Sequence, residues 1–131
     1  MNILITLPKY LLDKIISGEK IYEMRKCMPN NFILGEDGFY IVEKGTDHVK
    51  CWCRVDSAIS VTMNRFLSHR FSDDLCVSSE FILNYVPEGN HVCLLEIGKV
   101  VELENVCRDS LHVERNPQQF AYCPRSYGEP F

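Results

Sequence analysis

The stretch Gly18-Glu19-Lys20-Ile21-Tyr22-Glu23-Met24-Arg25 joins two kinds of hydrophobic period. Upstream of it, Leu12, Ile15 and Ile16 recur at i, i+3, i+4 with Leu11 beside them, while Asp13 and Lys14 take the other side. That is the stripe of an amphipathic helix. Pro8 suits the first turn, where the N–H it lacks would have no partner. Gly18 supplies the stop, because glycine readily takes the left-handed conformation that ends many helices. The pattern predicts a helix over residues 8–17. Downstream, residues 21–26 read as a strand, which sets Glu23 and Arg25 on one face. Lys20 stands where that strand begins, and its long stem can swing over either face.

The rest of the chain arranges itself around this junction. Ile3, Ile5 and Leu7 alternate with Asn2, Leu4 and Thr6 as a short, mostly buried strand. Met28-Pro29-Asn30-Asn31 breaks the chain, and Gly35-Glu36-Asp37-Gly38 turns it. Phe39-Tyr40-Ile41-Val42 is β-rich and expected at the centre of a sheet. Residues 49–59 form a longer strand, with Cys51, Cys53 and Val55 on one face, and pair with it as a hairpin. Thr62 is the expected cap of a helix over 63–70, ended by the polar break Ser72-Asp73-Asp74. Ser78 or Ser79 caps a further short helix that turns Phe81, Ile82 and Tyr85 inward. Residues 92–97 and 99–103 are strands with Gly98 as a bend between them. Leu111-His112-Val113 reads as a last short strand, and the tail from Asn116 as a packed loop.

No series of strands alternating with long helices appears, so a doubly wound parallel sheet does not fit. The pattern predicts an α+β fold in one domain, residues 1–131: a small, mixed, partly closed β-barrel with three short helices at its mouth.

Composition narrows the function classes. The formal net charge is −4. A protein that held long duplex DNA by neutralising phosphates would be basic. A local basic pocket for one nucleotide or a short single strand stays open. No apolar run approaches the ~20 residues of a membrane span, and the N-terminus reads as a strand rather than a signal peptide. A cytoplasmic protein without a membrane partner is expected. The seven cysteines are odd in number and lack ligand spacing, so they read as core filler rather than a disulfide framework or a metal site. There is no Gly-rich phosphate loop and no H-E-x-x-H, so no cofactor or metal is expected.

Lys20, Glu23 and Arg25 can be read in two ways. By spacing alone they are a solvated strand face with weak ion pairs. Gathered in a cleft, they become a site. A carboxylate between two cations is held ionised. An Arg fork grips a phosphate or a base edge. A Lys in a half-buried cleft can serve as base or nucleophile.

The run Leu7-Pro8-Lys9-Tyr10 followed by Ile15-Ile16-Ser17-Gly18-Glu19-Lys20-Ile21-Tyr22-Glu23-Met24-Arg25-Lys26 resembles the opening of ASCH domains. The signature residues stand here at Gly18, Lys20, Glu23 and Arg25. Asn116-Pro117-Gln118-Gln119-Phe120-Ala121-Tyr122 is similar to the ending of one branch of that family. The resemblance follows the element order along nearly the whole chain, with its specific residues at the two ends. It implies a PUA-like fold, a small antiparallel barrel with helices over a cleft, and a ligand that is RNA, a nucleotide or a modified nucleoside. It also implies a regulatory role in transcription or translation for some members and hydrolysis for others. One enzymatic branch looks like amidohydrolases acting on N4-acylcytidine, and another like metal-dependent ribonucleases. The amidohydrolase pattern carries Lys20 over directly. It has Thr where Glu23 stands, and it places an acidic residue near Asp73 or Asp74.

Other residues could complete such a site. Tyr22, Trp52 and Phe39 could stack a base or fill the core. Phe39 is expected in the core, while Tyr22 stays open between the two. Gln118 could read a base edge, as could Gln119, or either could close the barrel. The four histidines read as titratable surface groups, and Glu102 and Glu104 as a solvent-facing alternation.

Overall fold

The structure is a computed structural model that describes residues 1–123. Strand β1 (Asn2–Leu7) leads into helix α1 (Lys9–Ile16) and strand β2 (Tyr22–Arg25). Strands β3 (Gly38–Glu43) and β4 (His48–Thr62) follow, then helices α2 (Arg65–Leu75) and α3 (Ser79–Tyr85). Strand β5 (His91–Cys107), a 3-10 turn (Arg108–Leu111) and strand β6 (Ala121–Cys123) complete the order. The strands form a six-stranded sheet in the order β2-β5-β4-β3-β1-β6. All neighbours are antiparallel except β1 and β3, which run parallel with Ile3 opposite Phe39 and Ile5 opposite Ile41.

The sheet curls because its two longest strands bend. β4 and β5 pair along nearly their full length, with register shifts between Val49 and Cys51, Cys53 and Val55, and Val55 and Ser57. Such irregularities kink a ribbon and increase its twist. Gly98 lies in this region, and a Cβ there would come within 2.4 Å of the Asp56 carboxylate oxygens. The bend expected at Gly98 is therefore real, but it does not divide the strand.

Alternation then sorts the apolar residues onto two faces. Ile3, Ile5, Phe39, Ile41, Cys51, Cys53 and Val55 meet Leu11, Leu12 and Ile15 of α1. Leu4, Tyr40, Val42 and Trp52 meet Leu111 and Val113 on the opposite face. A third cluster packs Ile82 and Leu75 of the other helices on Met24, Val92 and Leu94. Cys51, Cys53 and Cys123 are buried filler as expected, whereas Cys27 and Cys107 are exposed. Burial pushes the Cys123 thiol up to about 12. The hydrogen bond from Cys51, together with burial, drives Cys53 above the ordinary thiol range. All seven thiols are free.

Several local expectations change. Phe81, expected to turn inward, is 46% exposed. Thr62 ends β4, and the cap of α2 is Asn64, whose side chain accepts from the Leu67 N–H at 2.8 Å. The helix runs on through Ser72-Asp73-Asp74 to Leu75. Asp73 sits on its exposed side, where a polar residue does not break a helix. The stop is Cys76, held in the left-handed region at φ 57°. Leu111-His112-Val113 is not a strand. Leu111 and Val113 are two buried anchors around a turn at His112, whose φ is 62°. Part of the tail is not a loop, since Ala121–Cys123 adds to the edge of β1. Residues 124–131 of that tail lie outside the described residues. No described helix is long and apolar enough to cross a membrane.

Candidate functional site: a buried ion cluster under an open cleft

The helix-to-strand junction is built by backbone bonds. Gly18 takes φ +83° and donates to the Ile15 carbonyl at 3.1 Å. The Lys20 N–H returns to Lys14 O at 3.0 Å, and the Ile21 N–H reaches Asp74 O at 2.8 Å. The chain is thereby turned into β2, which pairs antiparallel with β5, Glu23 opposite Leu95 and Arg25 opposite Cys93. Glu23 and Arg25 share a face, as the two-residue period demands.

That face is not solvated. Lys20, Glu23 and Arg25 are all buried, so the weak-ion-pair reading does not hold. The Glu23 carboxylate divides between two cations. Its Oε1 lies 3.4 Å from Lys20 Nζ, and its Oε2 lies 2.8 Å from Arg25 Nε and 2.5 Å from Nη2. Burial pushes the Glu23 carboxyl up, but Arg25 and Lys20 together outweigh it and hold it below the ordinary carboxylate range. Each cation has a second anchor. Lys20 Nζ donates to the Leu75 carbonyl at 2.8 Å. Leu75 is the last residue of α2, where carbonyls lack helical partners and the macrodipole favours a cation. Arg25 Nη1 donates to Gln119 O at 2.7 Å.

The cluster floors a cleft of about 380 Å³. This is within the ~300–1,000 Å³ of small-molecule sites. Pro8 and Tyr10 of the α1 segment, Phe81 and Tyr85 of α3, Lys44 and Gln118 line the rest of it. Tyr85 is held by its hydroxyl on Gln119 Oε1 at 3.2 Å and by Lys26 Nζ, 5.0 Å from its ring centroid. Burial raises the Tyr85 phenol.

The structure brings Lys20, Glu23, Arg25 and Gln118 to one place. It does not bring Tyr22 or Asp73 there. Tyr22 packs edge-on against Phe71 of α2, with centroids 5.9 Å apart. Asp73 borders a separate depression with Lys14, Glu19 and Ser78. Trp52 and Phe39 are core residues, and Trp52 Nε1 donates to Asn2 Oδ1 at 3.2 Å. Tyr10 and Lys44 were not expected as site residues from the sequence, nor were the Leu75 and Gln119 carbonyls. The signal for Tyr10 was its place off the apolar stripe of α1; backbone carbonyls carry no residue signal at all. Among the described residues, Asp47, His48 and Cys107 bring ligand-type atoms within 4.8 Å of one another. All three are exposed, and none lines the cleft.

No family model matches the sequence, and no curated protein matches it by sequence. Solved structures match it in fold. The crystal structure of ASCH from Zymomonas mobilis superposes with a TM-score of 0.78 at 16% identity, covering 94% of this chain and 87% of that one. Two single-substitution variants of the same protein each give 0.77 at 16% identity, with 88% and 90% of their chains covered. At this identity the likeness is one of fold, and the chain has the fold of the Zymomonas ASCH protein.

Proposed function

We propose that this chain is an RNA- or nucleotide-binding domain that holds its ligand in the cleft above Lys20, Glu23 and Arg25. The observation that carries it is a buried ion cluster lining an open cavity. Ion pairs buried merely for stability gain little over apolar packing. Here Glu23 is fixed as an acceptor, while Arg25 and Lys20 keep N–H donors beyond their protein partners. Acceptor and donors side by side match the edge of a nucleobase.

Binding is favoured over hydrolysis by two features. Lys20 is engaged as a donor to Leu75 O and lies against Glu23, which suits fixing charge more than taking a proton. Asp73, the expected assistant, stands outside the cleft. A metal-dependent ribonuclease would need oxygen ligands for its ion. Among the described residues the one carboxylate lining the cleft is Glu23, already shared by two cations.

The test is a titration of the full chain with labelled single-stranded RNA and with nucleotides. Arg25→Ala is expected to weaken binding at least tenfold, with no ligand consumed. Unchanged affinity in that variant sinks the assignment, and turnover abolished by Lys20→Ala would replace it with the amidohydrolase reading.

A further inference from the structure

The cleft has a mouth as well as a floor, and the mouth is aromatic. Tyr10 is 56% exposed and Phe81 is 46% exposed, yet both line the same cavity. They come from different helices, α1 and α3. Neither is needed to hold its helix down: α1 is anchored by Leu11, Leu12 and Ile15, and α3 by Ile82. Two aromatic faces left in water at the opening of a polar-floored cleft suit a flat ring.

Charge supplies the second half. Lys20 and Arg25 set against Glu23 leave one buried positive charge, and desolvating an unbalanced charge is costly. Lys44, in the turn between β3 and β4, adds a cation to the same cleft and makes no ion pair among the described residues. The cleft thus offers a charge near +2. A phosphate monoester carries about −1.5 to −2 at neutral pH, whereas a diester inside a strand carries one charge only. The volume of about 380 Å³ leaves no room for a run of nucleotides.

Building on the nucleotide reading above, we infer that the occupant is a single nucleoside monophosphate unit. Tyr10 and Phe81 flank its base, Glu23 and Arg25 take the base edge, and Lys44 meets the phosphate. The unit is either a free nucleotide or the phosphorylated end of an RNA strand.

The full chain is titrated with the four ribonucleoside 5′-monophosphates, the parent nucleosides, inorganic phosphate, and one short RNA with and without a 5′-phosphate. At least one monophosphate is expected to bind ten times tighter than its nucleoside, with Lys44→Ala removing most of that gap. Tyr10→Ala and Phe81→Ala are expected to weaken nucleotide and nucleoside alike, each at least about fivefold, and Tyr10→Phe to restore binding. A preference for the phosphorylated RNA over the free nucleotide assigns the strand end, and the reverse assigns the free ligand.

The inference is overturned if no monophosphate binds, if inorganic phosphate competes as well as a nucleotide, or if Lys44→Ala, Tyr10→Ala and Phe81→Ala all leave affinity unchanged. In the last case a loss in Arg25→Ala alone, measured on variant protein that circular dichroism shows to be folded, keeps the cleft as the site. If Arg25→Ala is silent too, the site assignment falls with it.

Discussion

Arg25 donates through Nη1 to the Gln119 carbonyl at 2.7 Å, across 94 positions of sequence. Arg25 belongs to one edge strand of the sheet and Gln119 precedes the other. The backbone ladder does not join those edges, so a guanidinium does. Arg25→Ala should cost about 3–5 kcal/mol, the range for breaking a buried pair and stranding its partner. Arg25→Lys should recover only part of it, because an ammonium cannot place donors on Glu23 and Gln119 in one plane. Urea unfolding checks both, and a wild-type midpoint in Arg25→Ala would show the tether to be dispensable.

Glu23 ties stability to pH. Its folded-state carboxyl lies below the ordinary value of 4.5. A depressed carboxyl contributes stability that is complete above the unfolded value and is lost as pH falls through the folded one. Unfolding midpoints measured between pH 3 and pH 7 should therefore hold level down to about pH 4.5 and then decline. Glu23→Gln should be less stable at pH 7 and lose much of that decline. An identical acid limb in wild type and variant would assign it to other carboxylates.

Gly38 tests how closely β3 lies on β4. A Cβ at this position would sit 1.9 Å from the Cys53 carbonyl oxygen, which is backbone and cannot rotate away. Gly38→Ala should cost about 3 kcal/mol or more, the upper end for overpacking. Thermal unfolding would show it, and a wild-type melting temperature would mean that the hairpin is looser than described.

Asn2 is buried with its Oδ1 accepting from the Gly38 N–H at 2.9 Å and from Trp52 Nε1 at 3.2 Å. Asn2→Ala withdraws that acceptor from the Gly38 N–H and from the indole, at roughly 1–3 kcal/mol for a buried donor left unsatisfied. Tryptophan fluorescence followed through urea should show an earlier transition. Coincident curves would rule out this bond as a stabiliser.

How much was legible in the sequence depended on range. Gly18, Glu23 and Arg25 could be placed because a helix stop and a two-residue period act over a few positions, and the structure keeps that placement. The depth of the site could not be read. Burial of Lys20 comes from α2, more than fifty positions on, through the Leu75 carbonyl. Asp73 misled because polar side chains in a row look like a break, whereas a helix on the surface needs them on its outer face. The apolar pair Leu111 and Val113 misled in the opposite direction, because alternate burial in a tight turn mimics a strand. The cleft's aromatic mouth depends on α1 and α3 meeting one cavity, which only the long-range sheet order decides.

The bond from Lys20 to the end of α2 makes the helix a reporter. The same junction also draws Ile21 N–H onto Asp74 O. Two successive carbonyls of the last helical turn are therefore clamped by Lys20 and Ile21, the segment that leads into β2. Any ligand that pulls the Lys20 ammonium toward itself loosens one of those clamps, and any ligand that packs the cleft tightens both. Occupancy would then be written in the hydrogen–deuterium exchange of amides around residues 71–76, a reading obtainable before the ligand's own chemistry is known.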